Sequence, residues 1–113
     1  SDIPKHDVVM IYGANTAETL PIMVNTLLEA KHNGTKFIIV DPRQTSTVNL
    51  AALHLQINIG EDFALSTLML KMILDSGWHN SEFIAKRTNG FEETAQYIQS
   101  TSADYLLEST GIP

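Results

Sequence analysis

The sequence predicts an α/β fold: half of a doubly wound parallel sheet, three-layer α/β in kind, followed by short helices. Three observations predict it. Two short apolar runs, Val8–Tyr12 and residues 37–40, show no alternation, the signature of parallel strands buried on both faces. Each of three expected strands runs into a polar loop and then into a stretch of helical periodicity. The order strand–helix, three times over, belongs to crossover-connected strands.

The first strand is Val8–Tyr12, entered through the charged Lys5, His6 and Asp7. After a loop with one glycine, a helix carries Leu20, Met23, Val24, Leu27 and Leu28 at helical spacing. Pro21 is tolerated in its first turn, and Asn33-Gly34 supplies a left-handed stop. Asn33-Gly34-Thr35 also matches a glycosylation sequon, but it is expected to be this helix-ending turn. The second strand, residues 37–40, is halted by Pro42. A short helix over residues 45–52 leads to the third strand. There Leu53, Leu55, Ile57 and Ile59 alternate with His54, Gln56 and Asn58, as in a half-exposed strand at a sheet edge. Right-handed crossovers place strand one innermost and strand three at the edge.

The helix after Asp62 repeats Leu65, Leu68, Met69, Met72 and Ile73 as a core stripe and stops at Gly77. Trp78 then reads as an apolar plug between helices. Three short helices are expected over residues 82–87, 92–99 and 103–109. No repeat, low-complexity tract or interdomain linker divides the chain, so a single domain is expected.

Composition removes several functions. Seven Lys+Arg against thirteen Asp+Glu give a net charge of −6, which disfavours nonspecific binding to nucleic acid or an anionic membrane. With no cysteine, the segment can hold neither a disulfide nor a thiolate-ligated iron–sulfur or metal site. No run approaches a membrane span, and a cytoplasmic location is expected. Ser1-Asp2 stands in place of an initiator methionine, so the chain is expected to be a piece of something longer.

The candidate residues lie in three loops. In Gly13-Ala14-Asn15-Thr16-Ala17-Glu18 a single glycine replaces the three that a dinucleotide fingerprint needs, which argues against a standard NAD site. Glycine, small side chains and backbone N–H groups at a helix N-terminus still suit an anion. Equally, Asn15 and Thr16 could simply cap the helix. Asp41 ends strand two, where a carboxylate can accept from a ribose diol, and Arg43 offers a fork of donors for phosphate. Asp-Pro-Arg is also an ordinary turn. Asp62, after Gly60-Glu61, is either the N-cap of the strong helix or a ligand carboxylate. The four histidines show no metal spacing, and His54 reads as an exposed strand residue. No Ser/His/Asp set or close carboxylate pair indicates catalysis.

Together the three loops are more specific than any one. Gly13 to Glu18, then Val40-Asp41-Pro42-Arg43-Gln44-Thr45, then the run from Leu53 through Gly60-Glu61-Asp62 to Leu65 resembles the molybdopterin oxidoreductases. The stretch from Phe83 to Glu93 and the ending Thr110-Gly111-Ile112-Pro113 look like the same family. The likeness is greatest to formate dehydrogenase catalytic subunits, although Leu20-Pro21 stands where that subgroup has His-Pro. Ala51-Ala52 replaces the family's Ala-Asp, and nitrate reductases share most of the remaining pattern.

The resemblance implies a Rossmann-like domain that cradles one guanine dinucleotide of a molybdenum or tungsten bis-molybdopterin guanine dinucleotide cofactor. By that analogy Gly13, Ala14, Asn15, Glu18 and Thr19 line the first loop, near pyrophosphate and ribose. Val40, Asp41, Pro42 and Arg43 form the second loop, and Gly60 and Asp62 the third, near guanine. Catalytic residues, metal ligand and iron–sulfur cysteines are expected outside the segment. The expected partners are the remaining domains of the same subunit and electron-transfer subunits. The rival reading is a noncatalytic nucleotide-binding or interaction module.

Overall fold

The computed structural model describes residues 2–113; Ser1, read above as a mark of excision, lies outside them. The chain divides into two compact units, one ending at Ile57 and the other beginning at Asn58.

The first unit holds an open sheet of three parallel strands, β1 (Val8–Tyr12), β2 (Lys36–Val40) and β3 (Leu53–Leu55), in the order β1-β2-β3. The register aligns Tyr12 with Val40 and Val40 with Leu55, so all three strands end in one row. Between β1 and β2 the expected single helix is two: α1 (Thr16–Thr19) and α2 (Pro21–His32). Leu20 separates them at φ −136° and ψ 65°, because the ring of Pro21 drives the preceding residue out of the helical region. Pro21 then begins α2, where its missing N–H removes no bond.

Leu27 and Ala30 of α2 pack with Phe37 and Ile39 of β2 to form the core, flanked by Val9 and Ile11 of β1 and by Val48. Leu20, Met23 and Leu28, expected in the same apolar stripe, are exposed. The turn at Asn33-Gly34-Thr35 ends α2 as expected, and buried Thr35 donates its hydroxyl hydrogen to the His6 carbonyl at 2.7 Å.

The strand order is the expected one, with strand one and strand three at opposite ends of the half-sheet. Two further expectations are corrected here. β3 stops at Leu55 instead of continuing to Ile59, because the Ile57 N–H turns back onto the Leu55 carbonyl at 3.2 Å. And β1 is buried on one face only: Val9 and Ile11 face the core, while Val8 stays 53% and Met10 37% exposed. The short helix before β3 is a 3₁₀ turn, Ser46–Leu50.

The second unit is helical: α3 (Asp62–Asp75), α4 (Ser81–Arg87), α5 (Phe91–Ser100) and α6 (Ala103–Thr110). Ala64 and Leu68 of α3 form its core with Leu106 of α6. Lys71 reaches Gln99 Oε1 at 3.3 Å, and Gln99 donates to Asp75 Oδ1 at 2.9 Å, which ties α3 to α5. Asn80 and Ser102 cap α4 and α6 by accepting from the N–H groups of Phe83 and Tyr105. Two expectations fail in this unit. Met72 is exposed, so the stripe of α3 is core only in its first half, and Trp78 is 75% exposed rather than a plug. Among the described residues no helix is long and apolar enough to cross a membrane.

Candidate functional site

Parallel strands that end in one row deliver their following loops to the same edge. The ladder itself carries one step into the first loop, where the Gly13 N–H donates to the Val40 carbonyl at 2.8 Å. Gly13 turns the chain at φ +62°, a conformation that a side chain would strain, and a Cβ there would meet nothing within 4 Å. The glycine thus serves the turn and leaves open space above it.

From this turn the chain enters α1, and its polar groups engage the second loop. Asn15 precedes the helix but does not cap it with its side chain. Its Oδ1 instead accepts from the Thr47 hydroxyl at 2.9 Å and from the Ser46 hydroxyl at 3.5 Å. Thr47 in turn accepts from the Ala17 N–H at 3.1 Å. A hydroxyl thirty residues away in sequence therefore does the capping that was expected of Asn15. Thr47 is fully buried and Asn15 nearly so, which makes this a dry latch between the two loops.

The amides of Glu18 and Thr19 bond the Asn15 carbonyl, which also accepts from the Thr19 hydroxyl at 2.9 Å. With Ala17 taken by Thr47, the amides of residues 14–16 are those left outside the loop's own hydrogen bonds. The expected anion cradle is reduced to them. The side chains of Glu18 and Thr19 are exposed on α1, while the hydroxyls of Thr16 and Thr45 are buried without a hydrogen-bond partner.

In the second loop Asp41 is buried, and its Oδ1 accepts from the Arg43 N–H at 2.8 Å, closing an Asx turn around Pro42. The Arg43 guanidinium stands 3.8 Å from the same oxygen and is 75% exposed. At that distance and exposure the pair contributes little to stability, and the fork is open to an anion. The Asp41 carbonyl accepts from His54 Nε2 at 2.9 Å; since a carbonyl only accepts, Nε2 carries the hydrogen. Gln56 donates to the Pro42 carbonyl at 3.0 Å. His54 and Gln56 are thus struts for the second loop rather than idle polar residues of an exposed strand face.

The structure brings Gly13, Asn15 and Val40 together through these bonds, with Asp41, Pro42 and Arg43 directly following. Ala14 lies between Gly13 and Asn15. Gly60 and Asp62 belong to the second unit. Gly60 turns at φ +87° with open space around it. Asp62 is the first residue of α3 and not its N-cap, which is Glu61. Its charge there suits the positive end of the helix dipole. Sequence reasoning missed Ser46, Thr47, His54 and Gln56. The hydroxyl run Thr45-Ser46-Thr47 was the available signal for the first two.

Comparison with known proteins gives this arrangement a family. The Molybdopterin oxidoreductase family model matches residues 1–106. The chain is 42% identical to the assimilatory nitrate reductase catalytic subunit of Bacillus subtilis, over 99% of this chain and 16% of that protein. It is 36% identical to the F420-dependent formate dehydrogenase 2 subunit alpha of Methanococcus maripaludis, over 100% of this chain and 17% of that protein. Among solved structures, acetylene hydratase from Pelobacter acetylenicus superposes with a TM-score of 0.85 at 29% identity, covering 95% of this chain and 15% of that one. The chain thus spans about a sixth of the length of the relatives it matches. With the family model covering nearly all of it, the chain belongs to the molybdopterin oxidoreductase family.

Proposed function

We propose that this segment holds one guanine dinucleotide arm of a bis-molybdopterin guanine dinucleotide cofactor, in a parent enzyme that transfers two electrons to or from a small substrate. The observation that carries the reading is the family match over residues 1–106, since that family takes a molybdenum or tungsten pterin cofactor. The residues present fit such a ligand by their chemistry. Gly13 leaves open space, the amides of residues 14–16 and the exposed Arg43 fork can donate to pyrophosphate, and Asp41 offers a carboxylate to a ribose. When bound, the cofactor supplies the redox chemistry; the protein supplies binding and orientation. The remaining domains of the parent subunit complete the site, and electron-transfer subunits carry charge away.

For the substrate we propose formate, oxidised to carbon dioxide, as the likeness of the first loop to formate dehydrogenases implies. A second reading, nitrate reduction, is favoured by the 42% identity to the assimilatory nitrate reductase subunit. The test is direct. Purify the parent, measure its molybdenum and tungsten, and release its nucleotides by acid hydrolysis. Guanine nucleotide in proportion to metal supports the cradle; metal with no guanine nucleotide refutes it. Turnover of formate against nitrate with a dye mediator then separates the two substrates.

A further inference from the structure

We infer that Asn89-Gly90, between α4 and α5, is a site of self-modification, at which Asn89 loses ammonia to become aspartate or isoaspartate, and that the fold holds Asn33-Gly34 back from the same reaction. Of the asparagines in the chain only these two precede glycine. The pairing matters because the next backbone nitrogen is the nucleophile, and glycine has no side chain to obstruct its approach to the asparagine Cγ. Both pairs are exposed, so composition and access give them equal chemistry. What separates them is the backbone.

At Asn33 the peptide groups are committed. The residue ends α2 at φ −77° and ψ 1°. Its N–H donates to the Glu29 carbonyl at 3.0 Å, and the Gly34 N–H donates to the Lys31 carbonyl at 3.1 Å. Thr35 follows at once, buried, with its N–H on the Ala30 carbonyl at 3.0 Å. To react, the Gly34 nitrogen must give up its proton and swing toward Cγ, and both moves break this set of bonds. At Asn89 no such set exists. Among the described residues neither the Gly90 N–H nor the Asn89 side chain has a hydrogen-bond partner. α5 takes up the Gly90 carbonyl, through the Thr94 N–H at 3.1 Å, and leaves the nitrogen side of the glycine loose. Gly90 turns at φ +75°, and a Cβ there would meet nothing within 4 Å, so the asparagine side chain has room to fold back over the backbone. The pair opens onto a cavity of about 470 Å³ that His79, Ser81 and Glu93 also line, which gives water access.

The chemistry balances with water alone. The Gly90 nitrogen attacks Asn89 Cγ and closes a succinimide ring. The side-chain nitrogen leaves as ammonia, taking the proton that the backbone nitrogen gives up. Water then adds to one of the two ring carbonyls. Opening at Cγ restores the ordinary chain with aspartate; opening at the α-carbonyl leaves isoaspartate, whose main chain runs through the former side chain. Nothing is oxidised or reduced. Either product carries a carboxylate just before α5, an end without a side-chain cap, where the helix dipole favours negative charge.

The test ages the intact parent polypeptide in neutral buffer at physiological temperature, folded and in urea, and digests samples with trypsin. Cleavage after Lys31, Lys36 and Arg87 puts the two asparagines on separate peptides. Mass spectrometry reads the conversion of amide to acid, chromatography resolves isoaspartate from aspartate, and a zero-time sample subtracts what digestion itself produces. In the folded parent, acid at residue 89 should accumulate about tenfold faster than at residue 33, because Asn33 must first open its hydrogen-bonded turn. In urea the two rates should converge. Equal rates in the folded parent, no acid at residue 89, or a gap that persists undiminished in urea would each overturn the inference.

Discussion

Thr47→Val is the sharpest perturbation of the latch. Valine nearly matches threonine in volume, so the change removes a hydroxyl without opening a cavity. Two groups lose a partner at once: Asn15 Oδ1, which keeps only the weak 3.5 Å contact with Ser46, and the Ala17 N–H. An unsatisfied buried polar group costs about 1–3 kcal/mol, so two partly buried ones should cost about 2–4 kcal/mol. That is a large share of the ~5–15 kcal/mol that holds a typical domain together. Thr47→Ser keeps the hydroxyl and loses one methyl, for which about 1 kcal/mol is expected. Urea denaturation of the 113-residue chain, followed by circular dichroism, measures both. Amide exchange at Ala17 should quicken in the valine variant alone. If valine proves as stable as wild type, or serine and valine fall equally, the latch does not hold the two loops.

Other outcomes follow from the same geometry. In the parent enzyme, Thr47→Val should lower the guanine nucleotide released per polypeptide, whereas Thr47→Ser should leave it near wild type; equal contents would detach the latch from cofactor binding. Gly111→Ala should destabilise the second unit by about 1–3 kcal/mol, because Gly111 sits at φ +70° and an added Cβ would lie 2.7 Å from the Asn58 side chain. Thermal melting of the variant checks this, and an unchanged midpoint would contradict it. The chain alone should show no redox turnover with formate or nitrate and a dye, since it carries no cysteine and its histidines show no metal-ligand spacing; measurable turnover by the purified segment would overturn that expectation.

Much of the fold was legible because it rests on local pattern. The runs at residues 8–12 and 37–40, the glycine stops, and the helices beginning near residues 62, 82, 92 and 103 all reflect periodicity or a cap within a few residues. The failures share a different cause. Leu20 and Trp78 were assigned to the interior on hydrophobicity, but burial depends on a partner surface, and among the described residues neither finds one. Thr47 was invisible for the same reason. Its importance comes from Asn15 and Ala17, and a pairing over some thirty positions leaves no periodic trace in a sequence. His54 and Gln56 were read as the solvent phase of a strand. They became struts when the chain left the sheet after Leu55 and β2's exit came within their reach.

Asp62 shows how the structure sharpens a question that the sequence posed loosely. As an N-cap it would bond an N2 or N3 amide, and asparagine would replace it with almost no loss. Its actual place is the first residue of α3, where the negative charge of the carboxylate favours the helix by about 0.3–1 kcal/mol, an effect that asparagine lacks. A role in reading guanine makes a separate demand. Guanine presents adjacent N1–H and N2–H donors that one carboxylate accepts together, and an asparagine amide would set its own donors against them. We therefore predict that Asp62→Asn in the parent lowers stability by less than about 1 kcal/mol yet removes most of the guanine nucleotide and the metal held with it. Nucleotide and metal analysis of the purified variant, beside its melting curve, gives both numbers from one preparation. Full cofactor occupancy with a small loss of stability would leave Asp62 a helix-terminus charge and move the guanine contact elsewhere. A large loss of stability would point instead to a structural role for the carboxylate, which charge on a helix end does not supply.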